Sequence, residues 1–258
     1  MKKNKDDVRY LNAPIELYKH FLNEPDDTYH SYTYKTCLDD ILKYAVYAEV
    51  KKYHNLTTPE EKISKCSDYF NYYITSDYNK YFYEAKEIYY QYNNKSTNPV
   101  MVGISTDLHY DYSCYKKKED EKIQLLGYLA IKSIVGNQTY KKSDMNFVLS
   151  RMDGKTHSVK KDLTKLSRRL IEYFGTENDA GKKIKPYRWT KLIKSLVNNW
   201  NLKYYSNYNR GFYVSYDMPL EDLCYHAEKK KKANLDKINK KKKEDVYKKA
   251  MERLGIAS

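Results

Sequence analysis

The chain has 258 residues, 41% hydrophobic and 32% charged, long enough to bury a core in one large domain or two small ones. It contains no run of about 18 apolar residues, and its start, MKKNKDDVRYLNAP, lacks the apolar stretch of a signal peptide, so residence in the cytoplasm and no membrane partner are expected. The net charge of +14 calls for a polyanionic partner if it is concentrated in one part of the chain.

It is concentrated. Residues 1–100 hold 14 Lys/Arg against 15 Asp/Glu, residues 101–225 hold 22 against 14, and residues 226–258 hold 12 against 5. Clustered cations are rewarded by counterion release from phosphates, so the basic two-thirds is where nucleic acid is expected. Lysine outnumbers arginine by about six to one and Lys, Asn, Tyr and Ile are heavily used, as in A/T-rich genomes. The 31 tyrosines suit half-buried faces and contact surfaces, because each ring carries a hydroxyl that needs a partner. Cys37, Cys66, Cys114 and Cys224 lie far apart without a C-x-x-C pair, against a zinc knuckle or a disulfide framework.

In chain order, Asn12 and Pro14 predict the start of a helix whose PIELYKHFL segment spaces Ile15, Leu17, Tyr18, Phe21 and Leu22 helically. Leu38, Ile41, Leu42, Ala45, Val46 and Val50 form a core-facing stripe in a second helix. Thr58-Pro59-Glu60-Glu61 predicts a capping box at the head of a third. A fourth, capped by Ser76, aligns Tyr78, Tyr81, Phe82, Ala85, Ile88, Tyr89 and Tyr92. These helices make a tyrosine-rich helical subdomain over residues 1–95, and NNKSTNP (93–99) reads as a linker.

A basic module over residues 100–225 follows. PVMVGIS predicts a short strand, and KKKEDEKIQLLGYLAIKSIVG a helix stopped by Gly136. Ser143 caps a short helix that Asp153-Gly154 ends. SVKKDLTKLSRRLIEYFG predicts one amphipathic helix, with Val159, Leu163, Leu166, Leu170 and Phe174 inward and Lys160, Lys161, Lys165, Arg168 and Arg169 displayed elsewhere. After a loop at 175–185, Pro186 opens a helix with an apolar stripe of Trp189, Leu192, Ile193, Leu196, Val197 and Trp200 and an outer face of Arg188, Lys191, Lys194, Ser195, Asn198 and Asn199. LKYYSNYNRGFYVSY alternates as a β-hairpin bearing Lys203, with Arg210 at its tip. A lysine-rich tail over 226–258 carries the runs Lys229, Lys230, Lys231, Lys232 and Lys240, Lys241, Lys242, Lys243, and reads as a helix that grips phosphates.

Helices, a polar-faced helix and a basic-tipped hairpin follow one another as in winged-helix DNA-binding domains, and residues 118–216 resemble one in pattern. The whole chain is then expected to be mainly α: the N-terminal helical bundle read from spacing, a winged-helix-like domain with one β-hairpin implied by the resemblance, and the basic C-terminal helical tail. The resemblance also implies that helix 188–200 enters a major groove, with Arg188, Lys191, Lys194 and Asn198 toward the DNA, while Arg210-Gly211-Phe212 meets the backbone or minor groove. Replication initiators and regulators of phages or plasmids are the nearest functional analogues. Two features depart from the pattern: helix 159–174 is also basic, and the loop before helix 188–200 is long.

GTENDAGKK (175–183) is not a phosphate loop: five residues separate Gly175 from Gly181, and Lys183 stands where Ser/Thr is required. Asp107, His109 and Asp111 would share one face in a strand, where they could hold a divalent metal for a nuclease, but an exposed polar loop is the expectation for this enzyme-like trio. Cys224-Tyr225-His226 lacks a second ligand pair. No catalysis, cofactor or metal is therefore expected, and the partner is DNA or RNA. The competing expectation is a phage structural or host-targeting protein whose N-terminal helices bind a protein partner or a second copy through tyrosine.

Overall fold

In the computed structural model, which describes residues 8–22, 34–93, 99–159, 163–175, 185–206 and 211–253, the chain opens with a strand where the sequence predicts a helix. Strand β1 (Tyr10–Pro14) buries Leu11 and Ala13 alternately, a period of two that takes in the expected cap Asn12, so the helical spacing begins only at Ile15. Residues Ile15–His20 form a 3-10 helix that buries Ile15, Leu17 and Tyr18. Helix α1 (Tyr34–Val50) buries its predicted stripe in full. Helix α2 (Pro59–Phe70) starts at the predicted capping box, with Glu61 N donating to Thr58 Oγ1 and Thr58 N to Glu61 Oε2, both at 3.2 Å. Helix α3 (Tyr78–Asn93) is capped by Asp77, not Ser76: Lys80 N donates to Asp77 Oδ1 at 3.3 Å.

Strand β2 (Met101–Ser105) forms where predicted and pairs antiparallel with β1, Leu11 opposite Ile104 and Ala13 opposite Val102. A Cβ on Gly103 would come within 2.5 Å of Asn12 Oδ1, so glycine permits this close approach. The pairing crosses the linker region, and one cluster of buried side chains runs from Leu11 to Val214. Helix α4 (Thr106–Cys114) leads to α5 (Glu119–Val135), which ends at Gly136 with a positive φ of 56°.

Strand β3 (Lys141–Ser143) is absent from the sequence reading, since Lys-Lys-Ser carries no apolar alternation. Ser143 belongs to it, and the cap of α6 (Met145–Met152) is Asp144, whose Oδ1 accepts from Phe147 N at 2.9 Å. The single amphipathic helix expected over 159–174 is two pieces, a 3-10 turn at Leu163–Lys165 and α7 (Arg168–Phe174). Tertiary hydrogen bonds break it. Both carboxylate oxygens of buried Asp153 accept from Ser167 N at 3.1 Å, and Ser150 Oγ accepts from Val159 N at 2.9 Å.

Helix α8 (Pro186–Asn199) and the hairpin β4 (Lys203–Ser206) and β5 (Phe212–Ser215) lie where predicted. Strand β3 adds to the hairpin, giving the antiparallel order β3-β5-β4. Tyr204, Phe212 and Val214 join the main core on one sheet face. The other face, with Tyr205 and Tyr213, is covered by Leu223 and Ala227 of α9 (Leu220–Arg253). The last helix thus starts before residue 226, and its first turns are a layer of the fold. The described residues are mainly helical with small antiparallel sheets, and none of their helices is long and apolar enough to cross a membrane.

Candidate nucleic-acid interface

Helix α8 is seated by three contacts that follow from its stripe. Leu192 and Leu196 press onto Gly127 of α5, where a Cβ would lie 2.9 Å from Leu192 Cδ1 and 3.3 Å from Leu196 Cδ1. Trp189 packs on Phe212 of β5 (ring centroids 5.7 Å apart), and Trp200 on Tyr128 of α5 (4.7 Å). Since 3.6 residues make a turn, burying Leu192, Ile193 and Leu196 leaves a ridge of Tyr187, Lys191, Lys194 and Asn198 on the opposite side, and all four are exposed.

Two of the expected cations also hold the helix in place. Asp120, in the first turn of α5, accepts from Lys191 Nζ and from the Tyr173 hydroxyl of α7 (2.5 Å), with Arg188 Nη1 at 4.0 Å. These partners, Lys191 foremost, hold the Asp120 carboxyl below the usual carboxylate range. Arg188 lies over the Tyr173 ring at 4.5 Å. Burial, with Asp120 adding to it, pushes the Tyr173 phenol up to about 12. Lys194 and Asn198 therefore form the part of the ridge that no such network occupies.

Set against known proteins, the chain matches no family model, no curated protein and no solved structure.

The other expected contact residues fall into four groups. On α7, Arg168 and Arg169 both reach Glu172, at 2.7 and 3.6 Å, while Lys165 lines a cleft of about 790 Å³ with Lys19, Lys155 and His157 that no residue of α8, β4 or β5 borders. Lys203 at the start of β4 donates to Asn201 at 2.6 Å. Lys229 to Lys232 and Lys240 to Lys243 lie on α9, all exposed except Lys231, which is partly covered and pairs with Glu228 at 3.4 Å. Lys160, Lys161 and Arg210 lie outside the described residues.

Sequence reasoning missed Lys142 and Tyr187. Exposed Lys142 stands on β3 beside the hairpin, 5.8 Å from the Tyr213 ring centroid, and Tyr187 is 60% exposed at the head of the α8 ridge. A paired lysine next to a tyrosine in TYKKS was the available signal.

The enzyme-like trio does not assemble. Asp107, His109 and Asp111 lie on helix α4 and not in a loop, so His109 faces away from the two aspartates. It is buried, with Nε2 2.8 Å from Leu38 O and Nδ1 3.1 Å from the Tyr72 hydroxyl, and burial lowers its pKa. His226 stacks on Tyr140 at 5.4 Å. Among the described residues no cluster of three His, Cys, Asp or Glu could hold a metal, and none of the four cysteines is in a disulfide, Cys37 and Cys66 being buried and Cys114 exposed.

Proposed function

We propose that the module from α5 through α9 is a non-enzymatic, winged-helix-like binder of double-stranded DNA, with α8 as the helix that enters the groove. The observation that carries this reading is the setting of α8. Its polar ridge faces solvent while its apolar stripe locks it to α5 and to a hairpin that β3 braces into a three-stranded sheet. A rigid helix beside a fixed hairpin can present groove-reading and backbone contacts together. Lys194 and Asn198 are the exposed side chains able to meet base edges or phosphates. A regulatory or replication-associated role in a phage or mobile element is the corresponding biological setting, by analogy of pattern.

The test is binding of the full chain to mixed-sequence duplex and to single-stranded DNA across a salt titration, alongside a Lys194→Ala/Asn198→Ala variant. The expected result is duplex affinity that falls steeply with salt and drops by about tenfold in the variant, roughly 1.4 kcal/mol. Absence of duplex binding at low salt rejects the reading. Preference for single strands redirects it to tyrosine stacking.

A second reading, a protein-interaction role for the N-terminal helices, is favoured by the outward tyrosines Tyr73 and Tyr83, 75% and 59% exposed. It predicts stable oligomers or a protein complex and indifference to DNA.

A further inference from the structure

The cleft beside Lys165 is walled by segments that meet only in the folded chain. Lys19 comes from the 3-10 helix Ile15–His20, Lys155 from the loop that follows α6, and Lys165 from the 3-10 turn Leu163–Lys165. The loop is braced at both ends by fully buried Ser150, whose carbonyl accepts from Lys155 N at 2.9 Å and whose Oγ accepts from Val159 N at 2.9 Å. Gly154, at a φ of 69°, lets the loop lie against the 3-10 helix: a Cβ there would come within 3.1 Å of Lys19 Cβ and 3.2 Å of Glu16 Cα. Buried Asp153 receives Ser167 N on both oxygens and pairs with Lys155 Nζ, which ties the loop to the chain just after Lys165. The fold itself thus holds the walls in place, and little ordering is left for a ligand to impose.

The lining selects by size and charge. A volume of about 790 Å³ suits a small organic molecule. Thr156, His157 and Ser158 on the loop add side chains able to donate hydrogen bonds to those of the three lysines. Asp153 is engaged by Lys155 and Ser167, and an ammonium has three donors, so this bond does not exhaust Lys155. The other acid of the lining, Glu16, acts on half-buried Tyr92, whose phenol is raised by burial and by the charges of Asp40 and Glu16. Among the described residues no arginine lines the cleft. Lysine binds phosphate as a point charge, whereas the planar fork of arginine is the usual match for a carboxylate. Tyr92 and Glu16 supply a ring and an acceptor suited to the organic part of a phosphorylated ligand.

We propose that this cleft binds a phosphorylated small molecule, with its phosphate held by Lys19, Lys155 and Lys165 and by the hydroxyls of Thr156 and Ser158. The convergence of three lysines from three separate segments on one concave, braced surface carries this. No residue of α8, β4 or β5 borders the cleft, so the site is distinct from the candidate DNA-binding surface and does not rest on that reading. A nucleotide and inorganic pyrophosphate present the same phosphate chemistry, and the test separates them.

The test is calorimetric titration of the full chain with ATP, inorganic pyrophosphate and adenosine, without divalent metal and at constant ionic strength. The wild type is compared with Lys19→Gln, with Lys19→Gln/Lys165→Gln, and with a Lys86→Gln/Lys116→Gln control that removes two exposed lysines outside the cleft; circular dichroism shows whether each is folded. Binding of the phosphate probes should weaken about tenfold in the double cleft variant, less in Lys19→Gln, and stay within about twofold in the control. Adenosine should bind about tenfold more weakly than ATP, or more weakly still. ATP binding tighter than pyrophosphate assigns the cleft to a nucleotide, and pyrophosphate as tight or tighter assigns it to phosphate without an organic part. No saturable binding of either phosphate probe up to about 1 mM overturns the site, as does an equal loss in the control or adenosine binding as tightly as ATP. Loss of duplex DNA affinity in the cleft variants without binding of the phosphate probes overturns it in favour of a nucleic-acid surface. Absence of duplex binding by every one of these proteins is instead the failure of the DNA-binding reading alone.

Discussion

Lys191 of α8 and Asp120 of α5 form a direct ion pair, and the same carboxylate holds Tyr173 of α7. One acidic group thus ties together three helices of a basic module. Asp120→Asn should cost little stability, under about 1 kcal/mol, because the pair is largely exposed. It should raise duplex affinity about two- to fivefold by releasing Lys191 toward the partner and removing a negative charge. Thermal melting and low-salt binding of this one variant check both parts, and weaker binding would mean that the pair positions α8.

Gly127 is the floor on which α8 sits. Gly127→Val should lower stability by about 1–3 kcal/mol, since the added side chain meets Leu192 and Leu196 in a packed core. The far-ultraviolet spectrum should stay helical while the denaturation midpoint falls. A neutral or stabilising outcome, helix propensity dominating, would show that α8 can move away from α5.

Leu223→Ala tests whether the start of α9 belongs to the fold. Leu223 is fully buried against the hairpin, and truncating it should cost about 2–4 kcal/mol. Leu235→Ala, on the exposed stretch, should change stability by less than about 0.5 kcal/mol. Chemical denaturation of the two variants separates the docked segment from the free one.

His109 makes stability depend on pH. Its folded pKa lies below the ordinary value near 6.5 because burial penalises the charged ring, so on acidification the unfolded chain takes up the proton first. The stabilisation is complete above about pH 6.5 and declines as pH falls from there toward the folded pKa. The melting temperature should therefore drop between pH 7.5 and 5.5, and His109→Gln should flatten that drop at some cost at neutral pH. An unchanged profile in the variant would assign the effect to other groups.

Periodic helices were legible in the sequence. The α1 stripe, the capping box of α2, the Gly136 stop and the α8 stripe apart from Val197, which is exposed, formed as spacing and cap chemistry dictate, because these signals act within a few residues. The errors lie where distant groups decide. Tyr10–Pro14 became a strand because β2, about ninety residues later, offered a partner. Helix 159–174 broke because Asp153 and Ser150 captured Ser167 and Val159 amides. Strand β3 has no pattern of its own and exists because β5 lends it hydrogen bonds.

The candidate interface divides along the same line. Sequence alone determined the residue types, the concentration of lysine after residue 100 and the polar face of α8, since composition and helical period need no partner. Only the tertiary structure decided which polar side chains are available: Lys194 and Asn198 face solvent, Lys191 and Arg188 meet Asp120, and Arg168 and Arg169 meet Glu172. It also decided that the start of α9 is a layer of the fold, with Leu223 and Ala227 buried on a sheet whose third strand the sequence does not announce. Charge is a property of the residue, but its availability depends on what the fold places within a few ångströms.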